Sequence, residues 1–252
     1  MSLIRDAFTV LLPYKCDICG NYADADNKLE GIDRIYRSIY GTDRDWHICT
    51  ECLSSLIPQD EDRRWFTALS NPVDEDPYGD LVLFMPFNYT GVVDHAMPAI
   101  KFGRKIGIAR LFGILLGNIM KHDKICADMI VPIPLSSERL EERGFNQSYE
   151  IAYPVGRILG IPVAGDVLIR TKNTGRQSSL SDTRDRMLNV AGAFEAEKDW
   201  DLTGLRIILL DDVATTGHTL REGAVTLLEN GASEVLCCAF SGNRQVKNAE
   251  PF

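Results

Sequence analysis

Beyond residue 80 the apolar positions come in two textures. One is an unbroken aliphatic run of strand length; the other is a longer stretch with apolar residues at helical spacing. "DMIVPIP" (128–134), "GLRIILLDD" (204–212) and "SEVLCCAF" (233–240) read as strands buried on both faces. "PAIKFGRKIGIARLFGILLGNIM" (98–120) reads as mostly helix. "NQSYEIAYPVGRILG" (146–160) is a helix with Ile151, Val155, Ile158 and Leu159 on one face, and Pro154 predicts a local kink in it. "HTLREGAVTLLENGA" (218–232) aligns Leu220, Ala224, Leu227 and Leu228, and Gly231 stops it. Strand, crossover helix and strand in succession predict an α/β protein with a parallel sheet flanked by helices.

Before residue 80 the texture changes. Residues 1–57 hold four of the seven cysteines, and 58–80 is acidic and carries three prolines. We expect a small cysteine module over 1–57, an acidic linker with one helical turn over 58–80, and the α/β domain over 81–252. Hydrophobic residues make up 45% of the 252, enough for a sizeable core. The formal net charge of -9 excludes a general basic footprint for nucleic acid but not a local patch. No apolar run reaches bilayer length, the longest candidate being "LFGILLGNIM" (111–120), and no small-residue cleavage site follows the N-terminal apolar stretch. A cytoplasmic protein without membrane insertion is expected. The pattern is silent on oligomeric state.

In a reducing compartment paired cysteines point to metal before disulfides. Cys16-x-x-Cys19 and Cys49-x-x-Cys52 form two knuckles, and four thiolates complete a tetrahedral zinc shell with no room for substrate. A structural zinc site is therefore expected, with core thiols or a redox pair as the competing readings. His47 is expected at the surface, and Cys126, Cys237 and Cys238 in the core.

The run "IILLDDVATTGHTL" (207–220) drives an aliphatic strand into two adjacent carboxylates, then into hydroxyls and a glycine. Asp211 and Asp212 then lie at the carboxyl end of a central strand, where open α/β sheets bind ligands. The loop is expected over 213–219, with a helix beginning at His218 or Thr219. Loop amides, the helix N-terminus and the hydroxyls of Thr215, Thr216 and Thr219 form an anion site, and Gly217 lets backbone approach a phosphate. Carboxylates one step away accept hydrogen bonds from vicinal sugar hydroxyls. Phosphate at one end and diol at the other describe a ribose 5-phosphate. The Gly-Lys-Ser/Thr of a Walker loop is absent.

This run resembles the phosphoribosyl pyrophosphate (PRPP) motif of type I phosphoribosyltransferases. "YTGVVDHAMPAIKFGRK", "VPIPLSSERLEERGFNQS", "LIRTKNTGRQSSLSDTRDRMLNVAGAF" and the cysteine knuckles extend the resemblance to the ComF (competence protein F, GntX-like) family over nearly the whole chain. The resemblance implies a type I phosphoribosyltransferase-like sheet behind a small N-terminal four-cysteine zinc module. It implies that Asp211 and Asp212 hold the ribose hydroxyls and stabilise charge at the anomeric carbon. Val213, Ala214, Thr215, Thr216, Gly217, His218 and Thr219 would complete the PRPP site. Arg139, Arg143, Asn146 and Gln147 offer donors for pyrophosphate. Lys172, Arg176 and Gln177 belong to a polar lid, with Arg170 before it and Arg186 after it. Lys101 lies in a matching segment without an assigned role.

Two functions follow from the resemblance. One is transfer of the phosphoribosyl group to a nucleophile, with Mg²⁺ and release of pyrophosphate. The other is a non-catalytic PRPP- or nucleotide-binding accessory in competence and DNA uptake, beside a helicase-like partner and single-stranded DNA.

Overall fold

A computed structural model of the chain describes residues 14–23, 29–56, 58, 66–69, 77–171 and 192–242. In chain order the elements are α1 (Glu30–Tyr40), α2 (Thr50–Ser54), β1 (Phe66–Leu69), β2 (Leu81–Phe84), β3 (Phe87–Asn88), α3 (Val92–Gly103) and α4 (Ile106–His122). There follow β4 (Met129–Pro132), α5 (Ser137–Arg143), α6 (Gln147–Leu159), β5 (Leu168–Arg170), β6 (Phe194–Ala196), β7 (Arg206–Ala214), α7 (His218–Glu229) and β8 (Glu234–Gly242). The main sheet runs β1-β2-β8-β7-β4, with β3 also on β8. The β2, β3, β4, β7 and β8 pairings are parallel, and β1 joins antiparallel at the edge. The expected α/β architecture with a parallel sheet is the one observed.

The aliphatic runs are continuous because both faces of the sheet are covered. Along β7, Ile208 and Leu210 join Ile130, Cys238 and Phe240 in one core, under α3, α4 and α6. Ile207 and Leu209 join Val131, Cys237 and Ala239 in a second core, under α7. Cys237 and Cys238 are buried as expected, but Cys126 is exposed in the α4–β4 connection, where its thiol donates to the Lys124 carbonyl.

Helices α4 and α6 meet closely. A Cβ on Gly113 would lie 2.2 Å from the Ile151 carbonyl oxygen, and one on Gly117 3.1 Å from the Val155 Cα. Glycine at both positions lets the two backbones touch. Helix α6 runs through Pro154 without a break, and its ring fills the space beside Gly113. The stretch 98–120 is mostly helix, as expected, and is divided between two helices parted by Arg104 in a left-handed conformation at φ 53°.

The stretch 58–80 holds a strand where a helical turn was expected. Phe66–Leu69 pairs with β2 from Phe66↔Phe84 to Leu69↔Leu81. The edge of β2 offers unpaired backbone groups, and this long-range pairing outweighs the acidic local composition.

The cysteine module shares the first core. Cys16, Tyr36, Trp46, Ile48, Cys49 and Cys52 are buried in one cluster with Ile108, Leu111 and Phe112 of α4. Polar contacts fix the contact further. Arg110 donates to Glu150 at 2.9 Å and to the Tyr36 hydroxyl at 3.3 Å, and its guanidinium lies 4.6 Å from the Tyr40 ring centroid. Lys105 pairs with Asp17 at 2.6 Å, while the other carboxylate oxygen of Asp17 accepts from the His47 amide.

Candidate ligand site at the carboxyl edge of the sheet

Strand lengths create the site. β4 stops at Pro132, opposite Leu210, whereas β7 and β8 stay paired to Ala214↔Gly242. The acidic pair therefore lies inside strand β7, and the loop to α7 is shorter than expected, spanning Thr215 to Gly217. Asp211 is the first residue of β7 beyond the end of β4, so its side chain borders a notch. Pro134 has no amide to continue the ladder, and the chain turns away into α5.

The notch is tied down by side-chain caps. Ser136 caps α5 and Asn146 caps α6, the latter accepting from the Ser148 amide at 3.0 Å. The carboxamide nitrogen of Asn146 donates to the Ile133 carbonyl at 2.9 Å, so both ends of this side chain are engaged by the fold. One residue further on, the Ser148 hydroxyl, buried at the start of α6, donates to Asp211 Oδ1 at 2.9 Å. The Asp212 amide donates to the same oxygen at 2.8 Å.

Asp212 is 4% exposed and meets the ammonium of Lys101 from the last turn of α3. The Nζ lies 2.6 Å from Asp212 Oδ2, an ion-pair distance that lacks the angular geometry of a hydrogen bond. Burial first, and then the charge of Asp212, push the Asp211 carboxyl up to about 7; Lys101 and the donated Asp212 amide act against them. Tyr89 borders the same group. Burial raises its hydroxyl, Lys101 lowers it, and Asp94 and Asp212 raise it again.

Past the acidic pair, Thr215 and Thr216 are exposed, and Gly217 is buried at φ +74°. A Cβ there would lie 2.2 Å from Leu69 Cδ2, so a side chain is barred both by backbone conformation and by β1 packed against it. Helix α7 starts at Gly217 with no side-chain cap and no acidic residue in its first turn. That start is suited to an anion. Arg221, 7% exposed, reaches back to the Leu69 carbonyl and to the Gly79 carbonyl at 2.8 Å, which fastens β1 and the start of β2 over the loop.

Cations gather on the other side of the notch. Arg143 donates to the Gln147 carboxamide oxygen at 2.8 Å and stacks 5.9 Å from the Phe102 ring centroid. Arg170, at the end of β5, lies 5.4 Å from the Phe194 ring centroid. Its guanidinium is pushed below its ordinary range by burial and then by the charge of Arg139, and Asp211 acts in the opposite direction. Arg139, Arg170 and Asp211 are thus electrostatic neighbours.

Gln147 adjoins Ser148, which bonds Asp211; Arg143 bonds Gln147 and lies over Phe102, next to Lys101; Arg139 neighbours Asp211 through Arg170; Asn146 bonds the Ile133 carbonyl and the Ser148 amide. Lys172, Arg176, Gln177 and Arg186 lie outside the described residues. Sequence reasoning missed Ser148, Tyr89, Arg221 and the part played by Lys101. The one local hint was that Ser148 directly follows the quoted Gln147.

The four module cysteines converge as expected. Their sulfurs all lie within 4.8 Å of one another, and Cys19 and Cys49 are 3.7 Å apart. A tetrahedron with metal–sulfur bonds of about 2.3 Å has edges of about 3.8 Å. The residues therefore fit a metal ion such as zinc. Burial raises the Cys19 and Cys52 thiols, while at Cys16 donated backbone amides outweigh burial and bring the thiol down to about 7. His47, half-buried, stacks on Tyr14 at 3.8 Å between ring centroids, and its ring is not part of the cysteine cluster.

A parallel sheet, helices on both faces and a polar notch at the carboxyl edge define an open-sheet α/β protein. No protein-family model matches the chain. Among curated proteins, the DNA utilization protein YhgH of Escherichia coli strain K12 is 36% identical over 155 residues, covering 57% of this chain and 67% of that protein. Competence protein F of Haemophilus influenzae is 33% identical over 130 residues, covering 51% of this chain and 56% of that protein. The match to YhgH of Salmonella typhi spans 66% of that relative's length. The chain belongs to the ComF family. Among solved structures, a hypoxanthine-guanine phosphoribosyltransferase from Bacillus anthracis is 15% identical, covering 57% of this chain and 76% of that one at a TM-score of 0.37. No helix among the described residues is long and apolar enough to cross a membrane.

Proposed function

We propose that the protein binds PRPP, as its magnesium complex, in the notch at the carboxyl end of β7. One observation carries the reading: two adjacent carboxylates, Asp211 and Asp212, stand at the end of the same short segment as an uncapped helix start at Gly217, and that glycine admits no side chain. Asp211 and Asp212 accept the ribose hydroxyls, and 214–219 hold the 5-phosphate. Arg139, Arg143 and Gln147, with Arg170, face the diphosphate. Magnesium, when bound, supplies charge neutralisation for the leaving diphosphate. The chain's own contribution is to orient the ribose and stabilise positive charge at the anomeric carbon while a nucleophile displaces pyrophosphate. Lys172, Arg176 and Gln177 belong to the lid in this reading, and the chain works in the cytoplasm as a zinc module packed on a transferase-like domain whose sheet takes its edge strand β1 from the 58–80 stretch.

Titration calorimetry of Mg²⁺–PRPP against wild type and the Asp211→Asn/Asp212→Asn double variant tests the site. Binding in the first and none in the second is expected; equal heats from both overturn the assignment. Pyrophosphate release in an acceptor screen then tests turnover.

The names of the relatives favour a second reading, an accessory in DNA handling; in that reading we propose that it binds single-stranded DNA beside a helicase-like partner. A DNA affinity that falls steeply with salt supports it, and no binding at low salt removes it.

A further inference from the structure

The end of α3 reaches both halves of the notch with consecutive residues. Lys101 meets Asp212 at 2.6 Å, and Phe102 lies beneath the Arg143 guanidinium. The helix is not free to drift, because Val93, Ala96, Met97 and Ile100 are buried in the core. The lysine side chain is 24% exposed and the aspartate side chain 6%. The ammonium is therefore held inward by the fold, unlike that of a surface lysine that happens to find a partner.

Two adjacent carboxylates at a strand end would otherwise attract divalent cations, which bind carboxylate oxygens. A cation bound there alone would occupy the oxygens that a diol needs. An ammonium neutralises the same charge as an ion pair, without coordinating the carboxylate oxygens, and can be drawn away by a stronger anion. Asp211 has its own partners in Ser148 and the Asp212 amide, so Asp212 is the carboxylate that relies on Lys101.

We infer that Lys101 is a specificity-determining residue, a resident counter-ion that keeps free divalent cations off the acidic pair. Metal then enters only as a complex with a diphosphate, whose negative charge draws the ammonium off Asp212. The identity of that entering ligand rests on the ribose phosphate reading; the exclusion of bare cations does not.

Manganese alone is the probe, with free Mn²⁺ read by its electron paramagnetic resonance signal. Wild type and Lys101→Arg should leave Mn²⁺ free into the millimolar range. Lys101→Met and Lys101→Gln should bind it more tightly by on the order of tenfold or more. Adding Asp212→Asn to Lys101→Met should abolish that gain. Lys101→Gln is roughly the same length and polar, which keeps the test open if the methionine variant does not fold. Equal Mn²⁺ binding by wild type and a folded charge-free variant overturns the inference.

A parallel Mg²⁺–PRPP titration separates the two readings. PRPP binding by wild type with no manganese gain in the variants leaves the ribose phosphate site standing without this role for Lys101. A manganese gain without PRPP binding leaves the counter-ion role standing and removes PRPP as the ligand.

Discussion

Gly217 and Asp211 show how much of the site depends on single atoms. At Gly217, alanine would place a methyl group 2.2 Å from Leu69 in a left-handed conformation that L-residues disfavour. Gly217→Ala should weaken Mg²⁺–PRPP binding by on the order of tenfold or more and lower the melting temperature by several degrees. Calorimetry and a thermal melt check both effects. Asp211 carries a pH dependence. Its carboxyl is held up to about 7 in the fold, against an ordinary value of 3.8. Between those values the folded chain keeps a proton that the unfolded chain has lost. The contribution of this group to stability should therefore fall as pH rises from about 4 to about 7 and level off above. The ionised form is the better acceptor for sugar hydroxyls, so PRPP affinity should rise through the same midpoint. That midpoint belongs to the Asp211, Asp212 and Lys101 group together. Ser148→Ala removes a donor that favours the carboxylate and should move the affinity midpoint to higher pH. Titrations at several pH values on wild type and variant read this shift, and coincident profiles would remove Ser148 as a positioning residue.

Among elements, the contact of α4 with α6 sets the frame of the notch, because α6 begins with the residues that meet Asp211 and Arg143. Gly113→Val should force the two backbones apart and cost about 1–3 kcal/mol or more of unfolding free energy, as overpacking of a tight core does. Urea denaturation measures it. At this scale the sequence was most readable where cause and effect are local. β7, β8 and β4 are unbroken aliphatic runs, and α6 and α7 carry apolar residues at helical spacing, so periodicity alone locates them. β1 was not readable, since its four residues become a strand only by pairing with the edge of β2. The site divides in the same way. The 211–219 stretch is one continuous segment, so its residue types and spacing are legible together. Ser148 is 63 residues from Asp211, and Lys101 comes from a helix on the other side of β4 in the chain. No spacing rule links residues that only tertiary packing brings together.

Across the whole molecule, the cysteine module and the sheet form one packed body. Trp46 lies against Gly107, where a Cβ would come within 2.1 Å of the indole, and the module's buried residues continue the core of α4. Removing metal from the cysteine cluster should therefore lower the stability of the entire chain, not just its first part. Calorimetry of metal-loaded and chelator-treated protein should show one shifted transition. A small separate transition with the main one unmoved would mean that the module folds independently. Elemental analysis of protein purified without chelator should find zinc.

The roof that β1 places over Gly217 bears on how the protein can be dissected. Composition suggests a cut after residue 80, leaving a tidy fragment that starts at β2. Such a fragment would lose Leu69 from above the loop and the Leu69 and Gly79 carbonyls from Arg221. It would also expose a sheet edge that invites association with other chains. Fragment screens, truncation libraries and fusion designs that divide this chain by composition would thus discard part of the support of the loop before α7 together with the stretch that looked most dispensable.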